Sequence, residues 1–325
     1  MAAGTPVAAQ EGSAGVAIEG PSRPSASRVR RGTPRAGSRG IVVHEGRAMQ
    51  GFGGSPRGST AYAQALNTIH ETIGNRVTIY SIIVPTAQEF YYPDSSESSR
   101  RRERPNILGT YGQLAPGIRP VDAHAELAAH TEENIYFRTD HHWTGLAGYY
   151  AYRAFCRAAG VDPVPLEQLE RRVVNRAWVG SLRRFAGGAE LEPDEVEILV
   201  PPARAELRAT PRSGPERPVP LFRERAGGYS VFLGGDNPIV RGRTSTRNGR
   251  RAILVKNSYG NAFGVHLVSH YEEVVYIDYR TFRGSLLDVL AESELPTDLL
   301  FMNGSLTSNS PAQCRMLLAL LEGRD

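Results

Sequence analysis

Two short strings in this sequence carry side chains suited to proton transfer and nucleophilic attack. The first, Thr139-Asp140-His141-His142-Trp143-Thr144, sets a carboxylate two residues from an imidazole. A carboxylate beside a histidine holds the ring in one tautomer and stabilises its protonated form, as a general base requires. In an extended segment Asp140 and His142 face the same side, and Trp143 is placed to wall a pocket and exclude water. The same string also reads as an ordinary helix start, with Thr139 or Asp140 capping and the histidines at the surface. The second string, Lys256-Asn257-Ser258-Tyr259-Gly260-Asn261, follows the apolar run Ala252-Ile253-Leu254-Val255 and precedes a helical pattern. A serine at such a junction projects above the sheet edge, where its backbone N–H can help bind an oxyanion and the helix start favours negative charge. The competing reading is a turn capped by Asn257 or Ser258. Lys256 is the only lysine among 38 basic residues, and it falls here.

The elements that must hold these strings follow from apolar spacing. Residues 41–52 read as strand and turn. Tyr62, Leu66, Ile69 and Ile73 have helical spacing, with Ser59 or Thr60 as the cap. A strong strand runs over Val77–Pro85, and the polar stretch 94–106 reads as a surface loop. A short strand near Arg119–Val121 leads into a helix, and strand, loop and amphipathic helix follow over 135–160. Residues 161–228, rich in Pro, Arg and Glu, read as an inserted cap region. The core resumes at Tyr229, and three strand–helix units follow, which implies parallel strands joined by crossovers. Ligands bind at the carboxyl edge of such sheets. Asp278-Tyr279-Arg280 and Asn303-Gly304-Ser305 fall at that edge beside Ser258. Asn303 offers an amide to an oxyanion, and Asn257, Tyr279, Arg280 and Trp143 join it as candidate oxyanion or substrate contacts. A local Asp278–Arg280 ion pair and a turn at Asn303 are the plainer readings. Gly234-Gly235-Asp236-Asn237 reads as a tight turn, without P-loop spacing.

With 325 residues, 40% hydrophobic and 22% charged, the chain suits one large α/β domain over 41–325 behind a disordered tail, 1–40, that has hardly any large apolar side chains. The net charge of +4 comes from arginine bias, with no recognition-helix or aromatic-interleaved basic pattern, so no nucleic-acid partner is expected. No apolar run is long enough to span a bilayer. No signal peptide is visible at the written N-terminus, which leaves the compartment open. Cys156 and Cys314 read as buried free thiols. His266 and His270, four apart on an expected helix, would share a face. Without an HExxH glutamate or cysteine pairs, no metal and no cofactor are expected.

The strings YFRTDHHWTGLAGYYAYRAF, GGDNPI, ILVKNSYGNAF, SHYEEVVYIDYR and TDLLFMN, in this order, resemble the DHHW protein family, as do TIYSIIVPTAQEFYYP and WVGSLRRF upstream. That family is similar to the SGNH-like (GDSL-like) domains of bacterial alginate O-acetyltransferases. The resemblance implies a three-layer α/β/α fold with a mostly parallel sheet, circularly permuted because the Asp/His pair precedes the serine. It also implies Asp140 as orienting acid, His142 as base, Ser258 as nucleophile and Asn303 as oxyanion donor. The implied activity is O-acetyl transfer to, or acetylester hydrolysis on, a carbohydrate polymer outside the cytoplasm. A non-catalytic glycan-binding or cell-envelope assembly protein that keeps the fold, with assembly partners of its own, is the alternative, and a metallohydrolase is a further rival.

Overall fold

The computed structural model describes residues 33–93 and 103–323. The expected tail therefore lies mostly outside the described residues, although β1 (Arg35–Ala36) pairs with β2 (Ile41–His44), which turns back into β3 (Arg47–Gln50). Helix α1 (Pro56–Ile73) buries Tyr62, Leu66, Ile69 and Ile73, the stripe its spacing predicts. Its cap is Ser55, not Ser59 or Thr60: Ser55 accepts from the Gly58 N–H, and Pro56 fills the first turn, where a missing N–H costs nothing. Strand β4 (Thr78–Val84) and α2 (Ala87–Tyr91) follow. Of the expected surface loop, residues 94–102 lie outside the described residues, but Glu103–Asn106 open α3 (Glu103–Tyr111), and Glu103 is buried. Next come β5 (Ile118–Val121), α4 (Ala123–Ala128) and α5 (Gly145–Ala159).

Segment 161–228 does two separate things. Strands β6 (Glu170–Trp178) and β7 (Asp194–Val200) form a two-stranded ribbon, whereas β8 (Ala205–Thr210) and β9 (Arg217–Val219) extend the large sheet. That sheet is completed by β10 (Ile239–Thr244), β11 (Arg251–Lys256), β12 (Glu273–Asp278) and β13 (Thr297–Gly304). One-turn α6 (Gly260–Gly264) follows β11, α7 (Leu286–Ala291) follows β12, and α8 (Ser305–Ser308) and α9 (Pro311–Leu318) follow β13.

The strand order is β5-β4-β13-β11-β12-β10-β8-β9. The first five strands are mutually parallel and the last three antiparallel. Side chains alternate across the sheet with period two, which divides the core. Tyr80, Ile82, Leu254, Leu300 and Met302 face α5 and α6, with Ala147, Phe155 and Phe263. Ile79, Ile83, Ile253, Val255 and Phe301 face α1, α3 and α9, with Leu66, Ile107 and Leu317. The result is a mixed α/β fold of three layers, helices on both sides of a mostly parallel sheet. No helix among the described residues is long and apolar enough to cross a membrane.

Parallel register sets the functional edge. Lys256 pairs with both Asp278 and Met302, and Asn303 with Ile83. The carboxyl ends of β4, β13, β11 and β12 therefore end level, and the segments after them meet.

Candidate active site

Residues 135–144 fold back on themselves. A bridge joins Tyr136 to Trp143, the Phe137 N–H donates to His142 O (3.2 Å) and the Thr144 N–H to Ile135 O (3.1 Å). Asp140 and His142 thus meet across a tight turn and not along an extended segment. Asp140 Oδ1 accepts the His142 backbone N–H at 3.1 Å and, in the tautomer the carboxylate selects, the ring Nδ1–H at 2.6 Å. His142 Nε2 lies 2.8 Å from Ser258 Oγ, positioned to accept its proton. Two stretches 116 residues apart are brought together here. Asp140 and His142 are buried, and Ser258 is half-buried. Burial alone would raise the Asp140 pKa. The His142 hydrogen bond and charge outweigh it and hold the carboxyl well below its ordinary range.

Three supports are not apparent from spacing. The turn after β6 brings Ser181, whose N–H (2.9 Å) and hydroxyl (2.8 Å) both donate to Asp140 Oδ2. Buried Asp194, at the start of β7, accepts from the backbone of Arg138 (2.6 Å) and Thr139 (2.9 Å) and from the Thr139 hydroxyl. Tyr229 stacks on the His142 ring, with centroids 3.8 Å apart and planes 8° apart, and its hydroxyl donates to Ser258 O at 2.9 Å. The string WVGSLRRF held a signal for Ser181, since a glycine before a serine permits close approach. A Cβ on Gly180 would meet Asp140 Cβ at 2.5 Å and Thr139 O at 2.9 Å. Gly180→Ala is therefore expected to push the ribbon off Asp140 and to cost about 1–3 kcal/mol of stability together with most of the turnover. Urea unfolding and esterase kinetics on the same preparation check both.

Several expected contacts lie elsewhere. Asn303 is wholly buried, its amide donating to Tyr62 Oη (3.0 Å) and accepting from Tyr279 Oη (2.8 Å), so it braces the far side of the sheet instead of facing an oxyanion. Tyr279 is buried with it. Asn257 Oδ1 accepts from the Tyr259 N–H (3.1 Å) and its Nδ2 donates to Thr307 (3.1 Å), which shapes the Ser258 loop. Trp143 is fully buried, with no surface left to face a ligand: its indole N–H donates to Tyr259 O at 3.0 Å and ties the two loops. Arg280 does form the local pair with Asp278 (2.8 Å) and reaches Asp236 (3.2 Å), at the rim of the site. His266 and His270 are not one helical face, because α6 ends at Gly264 and a short 3-10 turn (Leu267–Ser269) lies between them. His266 is buried against Tyr152, and His270 Nε2 meets Tyr152 Oη at 2.5 Å. The turn expected at Gly234 and Gly235 is real, with φ of 66° and 90° that glycine adopts freely. It presents Asp236, whose Oδ1 accepts from Asn261 at 2.8 Å.

The Ser258 N–H has no acceptor among the described residues, as an oxyanion donor requires. Glu103 joins the segments after β4 and β13, accepting from Thr86 N (2.9 Å), Thr86 Oγ1 (2.5 Å) and the Ser305 hydroxyl. Burial outweighs these donors and pushes its pKa from 4.5 up to about 8. Stability linked to this group is full below about 4.5 and is lost as pH rises through about 8. Glu103→Gln is thus expected to lose less Tm between pH 5 and pH 9 than the wild type does, as measured by thermal melts at both values.

A family model described as DHHW protein matches residues 33–187, a span that holds Asp140, His142 and Ser181 but not Ser258. A crystal structure of a DHHW family protein from Eubacterium siraeum is 28% identical, with 88% of this chain and 99% of that chain covered and a TM-score of 0.77. Bacillus cereus PatB1 is 15% identical over 83% of this chain and 97% of its own, with a TM-score of 0.70, and has also been solved with a sulfonyl adduct. The O-acetyltransferase domain of Pseudomonas putida AlgJ is 14% identical over 89% of this chain and 99% of its own, with a TM-score of 0.45. No curated protein is a match. The likeness to DHHW proteins read in the sequence is thus found again, and the three-layer α/β/α fold with its mostly parallel sheet is shared with these solved structures.

Proposed function

From this DHHW-like chain we infer a serine acyl-transfer enzyme in which Ser258 is the nucleophile, His142 the base and Asp140 the group that orients the base. The observation that carries this reading is the unbroken relay from Asp140 Oδ1 through His142 to Ser258 Oγ, at 2.6 and 2.8 Å. His142 Nε2 takes the Ser258 proton as Oγ attacks the carbonyl carbon of an acyl ester. The tetrahedral oxyanion accepts a hydrogen bond from the Ser258 N–H, a donor of a kind worth about 3 kcal/mol. The protonated imidazole, stabilised by Asp140, returns its proton to the departing alcohol. A second hydroxyl then repeats the sequence in reverse. A sugar hydroxyl makes the reaction an O-acetyl transfer to a carbohydrate polymer, and water makes it an ester hydrolysis.

Bacillus cereus PatB1, which shares the fold, has been solved with a sulfonyl adduct, and a sulfonyl fluoride is a suitable probe here too. Intact mass of the treated protein is expected to show one added sulfonyl group, with peptide mapping to Ser258. An unlabelled chain that also fails to turn over p-nitrophenyl acetate would overturn the reading in favour of a glycan-binding protein.

A further inference from the structure

The turn that holds Asp140 and His142 carries a third group, His141, for which acyl transfer has no use. Its ring centroid lies 3.8 Å from that of His142. Its Nδ1 is 3.5 Å from Asp140 Oδ1 and 3.2 Å from Ser181 Oγ. One ligand atom each from Asp140, His141 and His142 falls within 4.8 Å of the other two, and no other such group of three occurs among the described residues. The His141 side chain is 34% exposed, which gives an ion a way in.

The geometry points to a binding site for a divalent transition-metal ion, Zn2+ by its donors, formed by Asp140, His141 and His142, that switches the triad off. The site stands on these positions alone, while the inhibition rests on the acyl-transfer reading. Two imidazole nitrogens and one carboxylate oxygen suit zinc, whereas Mg2+ and Ca2+ take oxygen ligands. Tetrahedral zinc with bonds of about 2.0–2.1 Å sets its ligand atoms about 3.3 Å apart. The 3.5 Å between His141 and Asp140 is already close to that. The 2.6 Å between Asp140 and His142 Nδ1 must open by about 0.7 Å to reach that spacing. The fourth position falls to water or to Ser181 Oγ.

The consequence follows from counting lone pairs. A neutral imidazole has one basic nitrogen. In the relay, Nδ1 of His142 carries the proton and Nε2 is free to accept from Ser258. Zinc at Nδ1 takes the lone pair there, the proton moves to Nε2, and the ring has no basic site left. Ser258 then keeps its proton. No electron is transferred and no covalent bond to carbon changes.

Calorimetric titration of the full chain with zinc chloride tests the site, with magnesium chloride as the control. Wild type and Ser258→Ala are expected to bind one zinc per chain and no magnesium. His141→Gln, checked for folding by circular dichroism, and Asp140→Asn are expected to bind zinc at least about tenfold more weakly. Sulfonylation of Ser258 is expected to slow with zinc, to recover with EDTA, and in His141→Gln to run at the wild-type rate with little zinc sensitivity. A wild type without a stoichiometric zinc site, His141→Gln binding as tightly as wild type, or zinc leaving sulfonylation unchanged overturns the proposal. A zinc site lost in His141→Gln, in a chain whose Ser258 never reacts, would sink the acyl-transfer reading and leave the metal site standing.

Discussion

Replacing Ser258 with alanine is expected to lower turnover of p-nitrophenyl acetate by about 10⁴- to 10⁶-fold while the protein folds as before. The change removes the one oxygen that lies 2.8 Å from His142 Nε2, and with it the covalent intermediate. What survives is whatever binding and the loop N–H groups give a water-mediated reaction. Stability should barely move, because Ser258 is half-buried and the partner of its hydroxyl among the described residues is His142. Steady-state kinetics beside a thermal melt decide the matter. A variant that keeps a tenth or more of the wild-type rate would mean that another group carries the chemistry.

Asp140→Asn is expected to cost about 10⁴-fold in turnover and, unlike the serine change, to destabilise the fold. Among the described residues four donors hold this carboxylate: the N–H and ring Nδ1 of His142 on Oδ1, and the N–H and hydroxyl of Ser181 on Oδ2. An asparagine has one acceptor oxygen and must turn an NH2 toward one pair of donors. Turned toward His142, it forces the ring into the tautomer whose Nε2 carries hydrogen and cannot take the serine proton. Turned toward Ser181, it leaves a buried donor unsatisfied, at about 1–3 kcal/mol. On the proposed mechanism the triad acts as a unit, so the Asp140→Asn, Ser258→Ala double variant should turn over no more slowly than Ser258→Ala alone. A double variant slower by the product of the two single losses would show that the residues act independently.

Apolar periodicity along the chain was enough to indicate an α/β domain with parallel strands, the buried stripe of α1 and the strand ends that carry Ser258, Asp278 and Asn303, while the layers around the sheet were implied by the family resemblance. These patterns are local, since burial on one face of a helix or strand repeats at 3.6 or 2 residues whatever the partner. The side-chain types of Asp140, His142 and Ser258 were likewise legible, because only a few residue types move protons near neutral pH.

Contacts between distant segments were decided by tertiary packing. Ser181 and Asp194 come from the ribbon to clamp the Asp140 turn, and Tyr229 comes from beyond β9 to stack on His142. Glu103 is drawn from a polar run into the core because Thr86 and Ser305 supply donors there. Asn303 and Trp143 read as site residues by position, yet each finds its hydrogen-bond partners in the interior. Whether a polar side chain faces a ligand or the core depends on which partner lies nearest after the chain has closed. That partner is fixed by strand order and register, and no window of neighbouring residues contains it.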